Sequence, residues 1–500
     1  MPKARGKADK KEQGFAQKQL DIARSCGYST NDIFFKYDLI KSSYLFDAEG
    51  LTTKPTKHEL VKVLESKLTE NDYIGTNEWP AAPTVYIIDV MASVRKITAV
   101  KTFGELFSAF LSMVLRLCRK GPKRIDIIFD SYVGLSVKEG ERQRRVSKPP
   151  ILVSDITNDT KLPKDMDSFW SSPSNKLKLQ MFLRSQLVDH VTTEPTNVHI
   201  FLSKFTGDNV SVNTQSVKEG HLREHPELDS CLEEADVRIF PHALHAIKQC
   251  SITRVVVLSN DTDVVVLGLH FYHLFMANGL QELWIRFGIG EKTRFLPGHL
   301  LAERWGEEMC DVLPAAHSLT GCDITSKFGT KAAAIKADPV LHLKNFGKPD
   351  VSLLCCLKQA EAYLVNVFHH GNQGTENMDN LRVKLYHQMT SMTLLDLPPT
   401  SNATKGHILR SFYSTYIQIN CLGDMSLTPT EYGFVIQDDR LVADKYYRSL
   451  PEKMTLICNC GKCATQTCPC RQDIIPCCMF CKCQKNENLC RNPQGVTAAY

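Results

Sequence analysis

Short, nearly continuous apolar runs recur through the middle of the chain and predict the strands of a sheet. They are VYIID at 85–89, IDIIFD at 125–130, VHIFLS at 198–203, RVVVLSND at 254–261 and LWIRF at 283–287. Strands that are apolar on both faces are typical of a parallel sheet covered by helices on each side. Helical patterns lie between them, at 103–120 and 175–191. The alternation therefore predicts an α/β fold with a central, mostly parallel sheet flanked by helices.

The pattern differs on either side of this sheet region. Basic and polar residues dominate the start of the chain, which predicts disorder, and helical patterns replace strands in the last third. An insertion at 140–190 begins with a polar, proline-containing stretch. The predicted regions are a basic tail (1–18), an N-terminal region of unassigned role (19–83), the sheet domain (84–338), a helical region (339–450) and a cysteine-rich module (456–493).

Composition narrows the class of protein only a little. The chain has 500 residues, 43% of them hydrophobic, which predicts a globular protein of more than one domain. Sixty basic residues against fifty-five acidic ones give a net charge of +5, which permits nucleic-acid binding without requiring it. No apolar stretch is long and uncharged enough to cross a bilayer, and no apolar segment follows the basic start. We therefore expect an intracellular, soluble protein with no membrane partner.

Acidic residues cluster at the ends of the predicted strands, where open α/β sheets collect their ligands. Seven of them come from five successive segments: Asp89, Asp130, Glu234, Asp236, Asp261, Asp263 and Asp323. Each one alone is better explained as a helix cap or turn residue. Together, converging carboxylates would repel one another unless a cation compensated them, and Mg²⁺ and Mn²⁺ prefer such oxygens. The set therefore predicts two bound ions of this kind, as in two-metal phosphodiester hydrolysis.

Five motifs, IIDVMA, IIFDSY, EAD, DTD and LTGCD, carry these acids in order. In that order they resemble the flap endonuclease/XPG-type superfamily, within the wider PIN-like nuclease fold. The resemblance covers 84–338 and implies that all seven acids bind Mg²⁺ or Mn²⁺. It also implies that the insertion at 140–190 corresponds to the arch that gates single-stranded ends. Basic residues in VGLSVKEGERQRR would contact the scissile phosphate or the nucleic acid, namely Lys138, Arg142, Arg144 and Arg145.

A second basic segment follows the last acid of the series. The family has a helix–turn–helix there that grips duplex backbone through a glycine-rich hairpin and K⁺, and SKFGTKAAAI at 326–335 resembles it. This implies nucleic-acid contacts by Lys327, Gly329 and Lys331. Lys327 replaces the first glycine, so K⁺ is not expected. Pro241 is predicted to end or kink the helix after the EAD motif.

Ten of the nineteen cysteines crowd into the end of the chain. They are Cys458, Cys460, Cys463, Cys468, Cys470, Cys477, Cys478, Cys481, Cys483 and Cys490. In a reducing compartment such a cluster favours zinc over disulfides or unligated thiols. The C-x-C pairs are too close together for separate four-ligand sites, which predicts sulfurs shared between ions.

The cysteine spacing resembles the tesmin-type CXC domain, in which nine cysteines bind three zinc ions. With ten cysteines here, either Cys477 or Cys478 would be spare. Some domains of this type bind DNA through a Tyr before the second C-x-C pair, where this chain has Thr467. The combined layout also resembles multicopy, mobile-element-like animal proteins. The resemblance thus implies Zn²⁺ binding more strongly than DNA binding.

Two functional hypotheses follow. The first is a nuclear, Mg²⁺- or Mn²⁺-dependent nuclease that hydrolyses phosphodiester bonds of DNA, which is favoured over RNA as the substrate. The second is a nuclease-like scaffold of weak or no activity that binds nucleic acid or protein through its zinc tail. The complete set of acids favours the first, and Pro241 and Lys327 favour the second.

Overall fold

A computed structural model describes most of the chain. The described residues are 2–38, 44–47, 50–74, 79–80, 84–131, 137–138, 150–207, 210–230, 232–369, 375, 377–388, 397–423, 427–446, 448, 450–485 and 490–495. In this part of the chain, no helix is both long and apolar enough to cross a bilayer.

Twelve strands occur among the described residues. They are β1 Thr84–Asp89, β2 Arg124–Ile128, β3 His199–Leu202, β4 Phe205–Gly207, β5 Val210–Val212, β6 Gln215–Lys218, β7 His221–Glu224, β8 Arg254–Leu258, β9 Glu282–Phe287, β10 Arg294–Pro297, β11 Phe434–Gln437 and β12 Arg440–Ala443. Eight of them form one sheet in the order β10-β9-β8-β1-β2-β3-β6-β7. The five central strands, from β9 to β3, pair in parallel, and the outer strands are antiparallel.

Helices precede, separate and follow these strands. They are α1 Pro2–Ser25, α2 Thr30–Lys36, α3 His58–Glu65, α4 Val90–Val94, α5 Phe103–Cys118, α6 Met166–Trp170, α7 Pro173–Thr193, α8 Ala235–Cys250, α9 Thr262–Ala277, α10 Gly298–Trp305, α11 Glu307–Leu319, α12 Lys331–Lys336, α13 Pro339–Leu343, α14 Leu353–Phe368, α15 Met378–Gln388, α16 Ser401–Ile419 and α17 Pro469–Gln472. The predicted α/β class, with a mostly parallel sheet between helices and a helical region after it, is confirmed.

The central strands are buried on both faces because their sequences are apolar at nearly every position. All six residues of β1 are buried, with Val85 and Ile87 in one core and Tyr86 and Ile88 in the other. One core lies between the sheet and α8 to α10, and the other lies between the sheet and α5 and α7. This double burial explains why the strands lack the polar alternation of a half-exposed sheet.

Strand order reverses at β1, which makes its carboxyl end the place where this sheet can hold a ligand. From β1 the chain passes to β2 and β3 on one side, and then returns to β8 and β9 on the other side. The loops after β1 and β8 therefore diverge and leave a crevice between them, as at the switch points of other open α/β sheets.

The start of the chain is helical, which corrects the prediction of a disordered tail over 1–18. Helix α1 continues without a break into a segment whose apolar residues are fully buried, including Ala16, Leu20 and Ala23. These residues pack with α11, α14 and α15 in a third core. The basic composition of 1–18 predicts disorder because two of these three buried apolar residues, Leu20 and Ala23, lie after residue 18 and outside the predicted tail.

Two further helices bear on the sequence predictions. Helix α8 continues to Cys250 through Pro241, so that residue does not end it. Helix α7 occupies the second half of the predicted insertion at 140–190, and its buried Leu179, Leu183 and Leu187 pack on the sheet. That half of the insertion is part of the core, because its apolar residues recur at helical spacing.

Candidate metal centre

The first two strands each place an aspartate at the carboxyl edge of the sheet. Asp89 ends β1 and caps α4, accepting a hydrogen bond from the Ala92 N–H at 2.9 Å. Asp130 follows β2, and its Oδ1 accepts from the Ala235 N–H at 2.8 Å. Each carboxylate is held by a backbone amide at the start of a helix, where the helix dipole also favours negative charge.

Acidic pairs open two more helices at the same edge. Glu234 has an extended backbone (φ −97°, ψ 138°) just before α8, and Asp236 lies in the first turn of that helix. Asp261 caps α9 by accepting from the Asp263 N–H at 3.0 Å. Asp261 has an extended backbone and the helix begins at Thr262. Because Asp261 and Asp263 are two residues apart across this start, their carboxylates point to the same side.

The carboxylates converge in the crevice beside β1. Oxygen atoms of Asp236, Asp261 and Asp263 all lie within 4.8 Å of one another. A cleft of about 220 Å³ adjoins them and is also lined by Asp89 and Asp130. Strands that are far apart in the sequence thus bring the predicted acids to one side of the sheet.

The donor set fits a hard divalent cation. Asp236 is only 7% exposed, and its Oδ1 is buried without a hydrogen-bond partner among the described residues. The Oδ1 of Asn260, which lines the same cleft, is likewise buried without a partner there. Unpaired oxygens are costly to bury unless something coordinates them, and Mg²⁺ and Mn²⁺ take carboxylate and amide oxygens. Asn260 was not among the predicted ligands, although it stands inside the SNDTD motif.

Lys138, which the sequence singled out, lies inside this acidic cluster. Its Nζ pairs with Glu234, with Asp236 at 3.3 Å and with Asp323 at 3.2 Å. The side chain is almost fully buried. Its ammonium group therefore offsets part of the repulsion among these three carboxylates.

Lys57, which the sequence did not single out, holds the other half of the cluster. Its Nζ lies 3.0 Å from Asp261, 3.2 Å from Asp263 and 2.8 Å from Asp323. Asp323 thus bridges the two lysines. No local signal could have identified Lys57, since its partners Asp261 and Asp263 lie 204 and 206 positions later in the chain.

The electrostatics divide the acids into two groups. Burial and the neighbouring Asp130 raise the pKa of Asp89 to about 7. Burial also acts upward on Asp263 and Asp323, but the ammonium groups of Lys57 and Lys138 outweigh it and hold the pKa of both carboxyls below its usual range. The pKa of Asp236 is also raised, because burial and the carboxylates of Asp261 and Asp263 outweigh the effect of Lys138. Burial and neighbouring carboxylates thus destabilise Asp89 and Asp236 as anions, which is the condition that a bound cation relieves.

A buried chain of polar groups lies behind Asp263, and it contradicts the prediction that Lys331 contacts nucleic acid. His317 Nε2 lies 2.7 Å from Asp263 Oδ1, and Lys331 Nζ donates to the other ring nitrogen at 3.2 Å. Lys331 also donates to the carbonyls of His317 and Gly321, and it is 3% exposed. Lys331 therefore cannot contact nucleic acid, and it orients His317, which in turn orients Asp263.

The predicted backbone-binding hairpin is also incomplete at Gly329. This residue has φ +62°, as a turn glycine would, but its N–H donates to the Tyr44 hydroxyl at 3.1 Å. A phosphate would have to displace that bond. Lys327 is exposed, so of the three predicted contacts in this hairpin it alone keeps an accessible charge. Arg142, Arg144 and Arg145 lie outside the described residues.

The cysteine-rich module brings sulfur atoms, rather than apolar side chains, to its centre. Three groups of four Sγ atoms lie within 4.8 Å of one another: Cys458, Cys470, Cys477 and Cys481; Cys458, Cys463, Cys468 and Cys477; and Cys463, Cys477, Cys483 and Cys490. Three residues, Cys458, Cys463 and Cys477, recur in more than one group. Four thiolates at such spacing suit a tetrahedral zinc ion, and shared sulfurs were predicted from the C-x-C pairs.

The grouping bears on which cysteine is spare. Cys477 belongs to all three groups, whereas Cys478 and Cys460 belong to none. The thiol of Cys478 instead meets Cys26 at the end of α1, and this contact, together with burial, raises the pKa of the Cys26 thiol. Cys26 was not predicted to belong here, because a single cysteine in a helical segment carries no metal signal. The arrangement favours Cys478 as the spare thiol.

Comparison with known proteins gives a limited result. No protein-family model matches the chain, and no curated protein matches it. Among solved structures it is similar to the catalytic core of Rad2 in complex with DNA substrate, at 13% identity. The match covers 67% of this chain and 87% of that chain, with a TM-score of 0.26. Because so low a TM-score reflects a loose superposition, functional conclusions depend on the geometry of the carboxylate cluster itself.

Proposed function

We propose that this protein is a metal-dependent nuclease with a PIN-like scaffold, and that it hydrolyses phosphodiester bonds of DNA. The observation that carries the proposal is the convergence of Asp236, Asp261 and Asp263, with a buried, unpartnered Asp236 Oδ1, at the strand-order reversal. The choice of DNA rests on the resemblance of the five acidic motifs to the flap endonuclease/XPG-type superfamily.

The seven predicted acids are the proposed ligands of two Mg²⁺ or Mn²⁺ ions. They are Asp89, Asp130, Glu234, Asp236, Asp261, Asp263 and Asp323. When bound, such ions supply a water activated at neutral pH and stabilise the leaving oxygen. The carbonyl oxygen of Asn260 is a further candidate ligand, since it lines the same cleft.

The chain's own residues would bind and orient the substrate. Lys138 lines the cleft, and its ammonium group would pair with a non-bridging phosphate oxygen there in place of one of its three carboxylate partners. Backbone amides hold Asp89 and Asp130 in place, and His317 holds Asp263, so these carboxylates need little reorganisation during the reaction. Arg142, Arg144, Arg145 and Lys327 are proposed contacts to the nucleic-acid backbone.

The cysteine-rich module is proposed to hold three Zn²⁺ ions, one for each group of four sulfurs. With shared sulfurs at Cys458, Cys463 and Cys477, the module would be a single cluster of the CXC type. Since so few apolar residues lie in this segment, the metal would supply its folding energy. We propose a nuclear location, since the basic residues of 1–18 suit a nuclear-import arm.

The deciding experiment is a cleavage assay on flap, nicked, single-stranded and duplex DNA with Mg²⁺ or Mn²⁺. The matched control is the Asp261→Asn/Asp263→Asn variant, which keeps the size of both side chains. We expect cleavage by the natural protein and more than about a hundredfold less by the variant, since groups that merely orient metal ligands are worth about 10- to 100-fold. Equal cleavage by both, or none by either, would refute the proposal.

A second candidate function has its own supporting observation. Lys331 is buried, and the Gly329 N–H is bonded to Tyr44, so most of the predicted duplex-gripping hairpin is occupied internally. A scaffold of weak activity that binds nucleic acid or protein through the zinc module would need neither. Zinc-dependent binding without cleavage of any DNA or RNA substrate would favour this alternative.

A further inference from the structure

The region to which the sequence assigned no role contributes a charge to the metal centre. Lys57 belongs to the segment before α3, and its ammonium group lies within 3.2 Å of one oxygen each of Asp261, Asp263 and Asp323. Its side chain is 18% exposed and that of Asp263 is 4% exposed. An ammonium group placed among three carboxylates occupies the kind of position that a metal ion takes.

The backbone that carries Lys57 is held firmly against the last acidic motif. The Lys327 N–H donates to the Thr53 carbonyl at 2.9 Å. Gly321 has φ +111°, and a Cβ at this position would lie 2.6 Å from Pro55 Cβ, so the LTGCD motif leaves room for this segment. Helix α3 then anchors the other side, with Leu60, Val61 and Leu64 in the core of the sheet domain.

The side chain of Lys57, in contrast, has a second position open to it. An open groove of about 520 Å³ adjoins it, lined by Lys54, His58, Asn260 and Asp261. Lysine has a flexible four-carbon stem, so its ammonium group can turn from the carboxylates into this groove while the backbone stays in place. There it would join Lys54 and His58 in a basic surface beside the acidic cleft.

We infer that Lys57 is a built-in counter-cation of the metal centre, and that a divalent ion takes the position among Asp261, Asp263 and Asp323 only by displacing it. The inference rests on the proposed function, because it concerns the same ions. Two positive charges cannot occupy one point, so Lys57 lowers the affinity of this position for metal. It also spares the carboxylates their mutual repulsion until metal arrives.

Lys138 gives the centre a second counter-cation with a different partner set. It pairs with Glu234 and Asp236, and it shares Asp323 with Lys57. Five carboxylates therefore face two ammonium groups, which leaves a formal excess of three negative charges. The excess explains why a divalent ion can still compete. Displacement of Lys57 opens only the Asp261/Asp263 side of the cluster, so the two positions should differ in affinity.

The test is Mn²⁺ binding to the full-length, zinc-loaded protein, measured by calorimetry and by the electron paramagnetic resonance signal of free Mn²⁺. For Lys57→Met, which keeps the stem and removes the charge, we expect one of two Mn²⁺ sites to tighten about tenfold, a usual size for coupling between sites. Lys57→Arg should stay close to the natural protein. Lys62→Met, at an exposed position of α3 that does not line this groove, is the matched control and should change nothing.

The opposite outcome separates this role from a purely structural one. If Lys57 only holds the carboxylates together, Lys57→Met will bind Mn²⁺ equally or more weakly, and the inference is wrong. A second readout covers a poorly folding variant: in the natural protein, acetylation of Lys57 followed by mass spectrometry should rise severalfold with saturating Mn²⁺. Unchanged labelling of Lys57 would contradict the displacement.

Failure of this inference differs from failure of the proposed nuclease. Tighter Mn²⁺ binding by Lys57→Met without cleavage by the natural protein would support the counter-cation and refute the enzyme. Cleavage with unchanged Mn²⁺ affinity in Lys57→Met would do the reverse. Mn²⁺ binding that is weak and unaffected by Asp261→Asn/Asp263→Asn would refute both.

Discussion

The acidic cleft and the cysteine-rich module are both candidate metal centres, yet they are built in opposite ways. The carboxylates stand at the edge of a sheet whose strands are buried on both faces, and backbone amides, His317 and two lysines hold them. The cysteine module has sulfur at its centre, and within the part of the chain that the structure describes Ile22 is the one buried aliphatic residue packed there.

In the acidic cleft a metal ion would bind to a domain that is already folded, whereas in the cysteine-rich module the metal ions would themselves form the core. Apolar burial folds the sheet domain, and its own ammonium groups compensate the acids, so the acidic centre should be formed before metal binds. The module lacks that burial and should depend on zinc for its fold. We therefore expect metal removal to affect binding and catalysis in the first region and folding in the second.

The largest expected effect is loss of the module's fold in Cys477→Ser. Cys477 belongs to all three sulfur groups, and structural zinc sites contribute on the order of 10 kcal/mol to folding. The variant should hold fewer zinc ions by elemental analysis and lose protease resistance over 456–493. Cys478→Ser, which changes the adjacent thiol outside those groups, should retain its zinc. Loss of zinc from Cys478→Ser alone would reverse the assignment.

The Asp236→Asn variant tests whether the acidic centre can lose a metal ligand while its domain stays folded. The change keeps the side chain's size, so the domain should fold, but it removes a charged ligand from the cleft. We expect cleavage to fall more than about a hundredfold, since even orienting groups are worth 10- to 100-fold. Glu233→Gln, in the same EEAD motif, is the matched control and should lose far less. Comparable losses of cleavage in both variants would show that the motif acts through its overall negative charge rather than by ligating a metal ion.

The His317→Ala variant tests whether the orientation of Asp263 by His317 contributes to metal binding and cleavage. The imidazole contacts Asp263 at 2.7 Å, and a partner of this kind is worth about 10- to 100-fold in metal affinity or activity. Mn²⁺ affinity and the cleavage rate of the folded variant should both fall by amounts in that range, and the melting temperature should also fall, because removing the buried imidazole leaves a cavity. A variant with normal Mn²⁺ affinity would mean that Asp263 needs no such support.

A moderate effect on stability is expected where the N-terminal segment meets the sheet domain. Gly321→Ala places a methyl group 2.6 Å from Pro55 at φ +111°, and strain of this kind costs about 1–3 kcal/mol. Gly121→Ala is the control, because Gly121 has φ +69° but nothing lies within 4 Å of the added Cβ. Urea unfolding should show the larger loss for Gly321→Ala, and equal losses would argue against close packing by Pro55.

The smallest expected effect separates the two lysines of the predicted hairpin. Lys327 is exposed, so Lys327→Ala should reduce the slope of log affinity against log salt by about 1 if it contacts phosphate. Lys331 is buried, so Lys331→Met should leave that slope unchanged. Equal changes in slope would restore the hairpin as a backbone-binding element.

Much of this architecture could be predicted from the sequence, because its signals are local. Apolar runs such as VYIID define buried strands, and an acid at the end of each run lies at the ligand-binding edge of a parallel sheet. What could not be predicted depends on contacts between distant segments. Lys57 meets its carboxylate partners only in the folded chain, and the burial of Lys331 is invisible in a motif that otherwise looks basic and accessible.

The central claim, that the acid cluster is a divalent-metal centre on a preformed scaffold, is tested most directly by anomalous scattering from crystals soaked in Mn²⁺. We predict two peaks among the carboxylates of Asp236, Asp261, Asp263 and Asp323, with the Lys57 ammonium group turned away into the neighbouring groove. No peak at saturating Mn²⁺, with Lys57 and Lys138 still paired to the same carboxylates, would contradict the account.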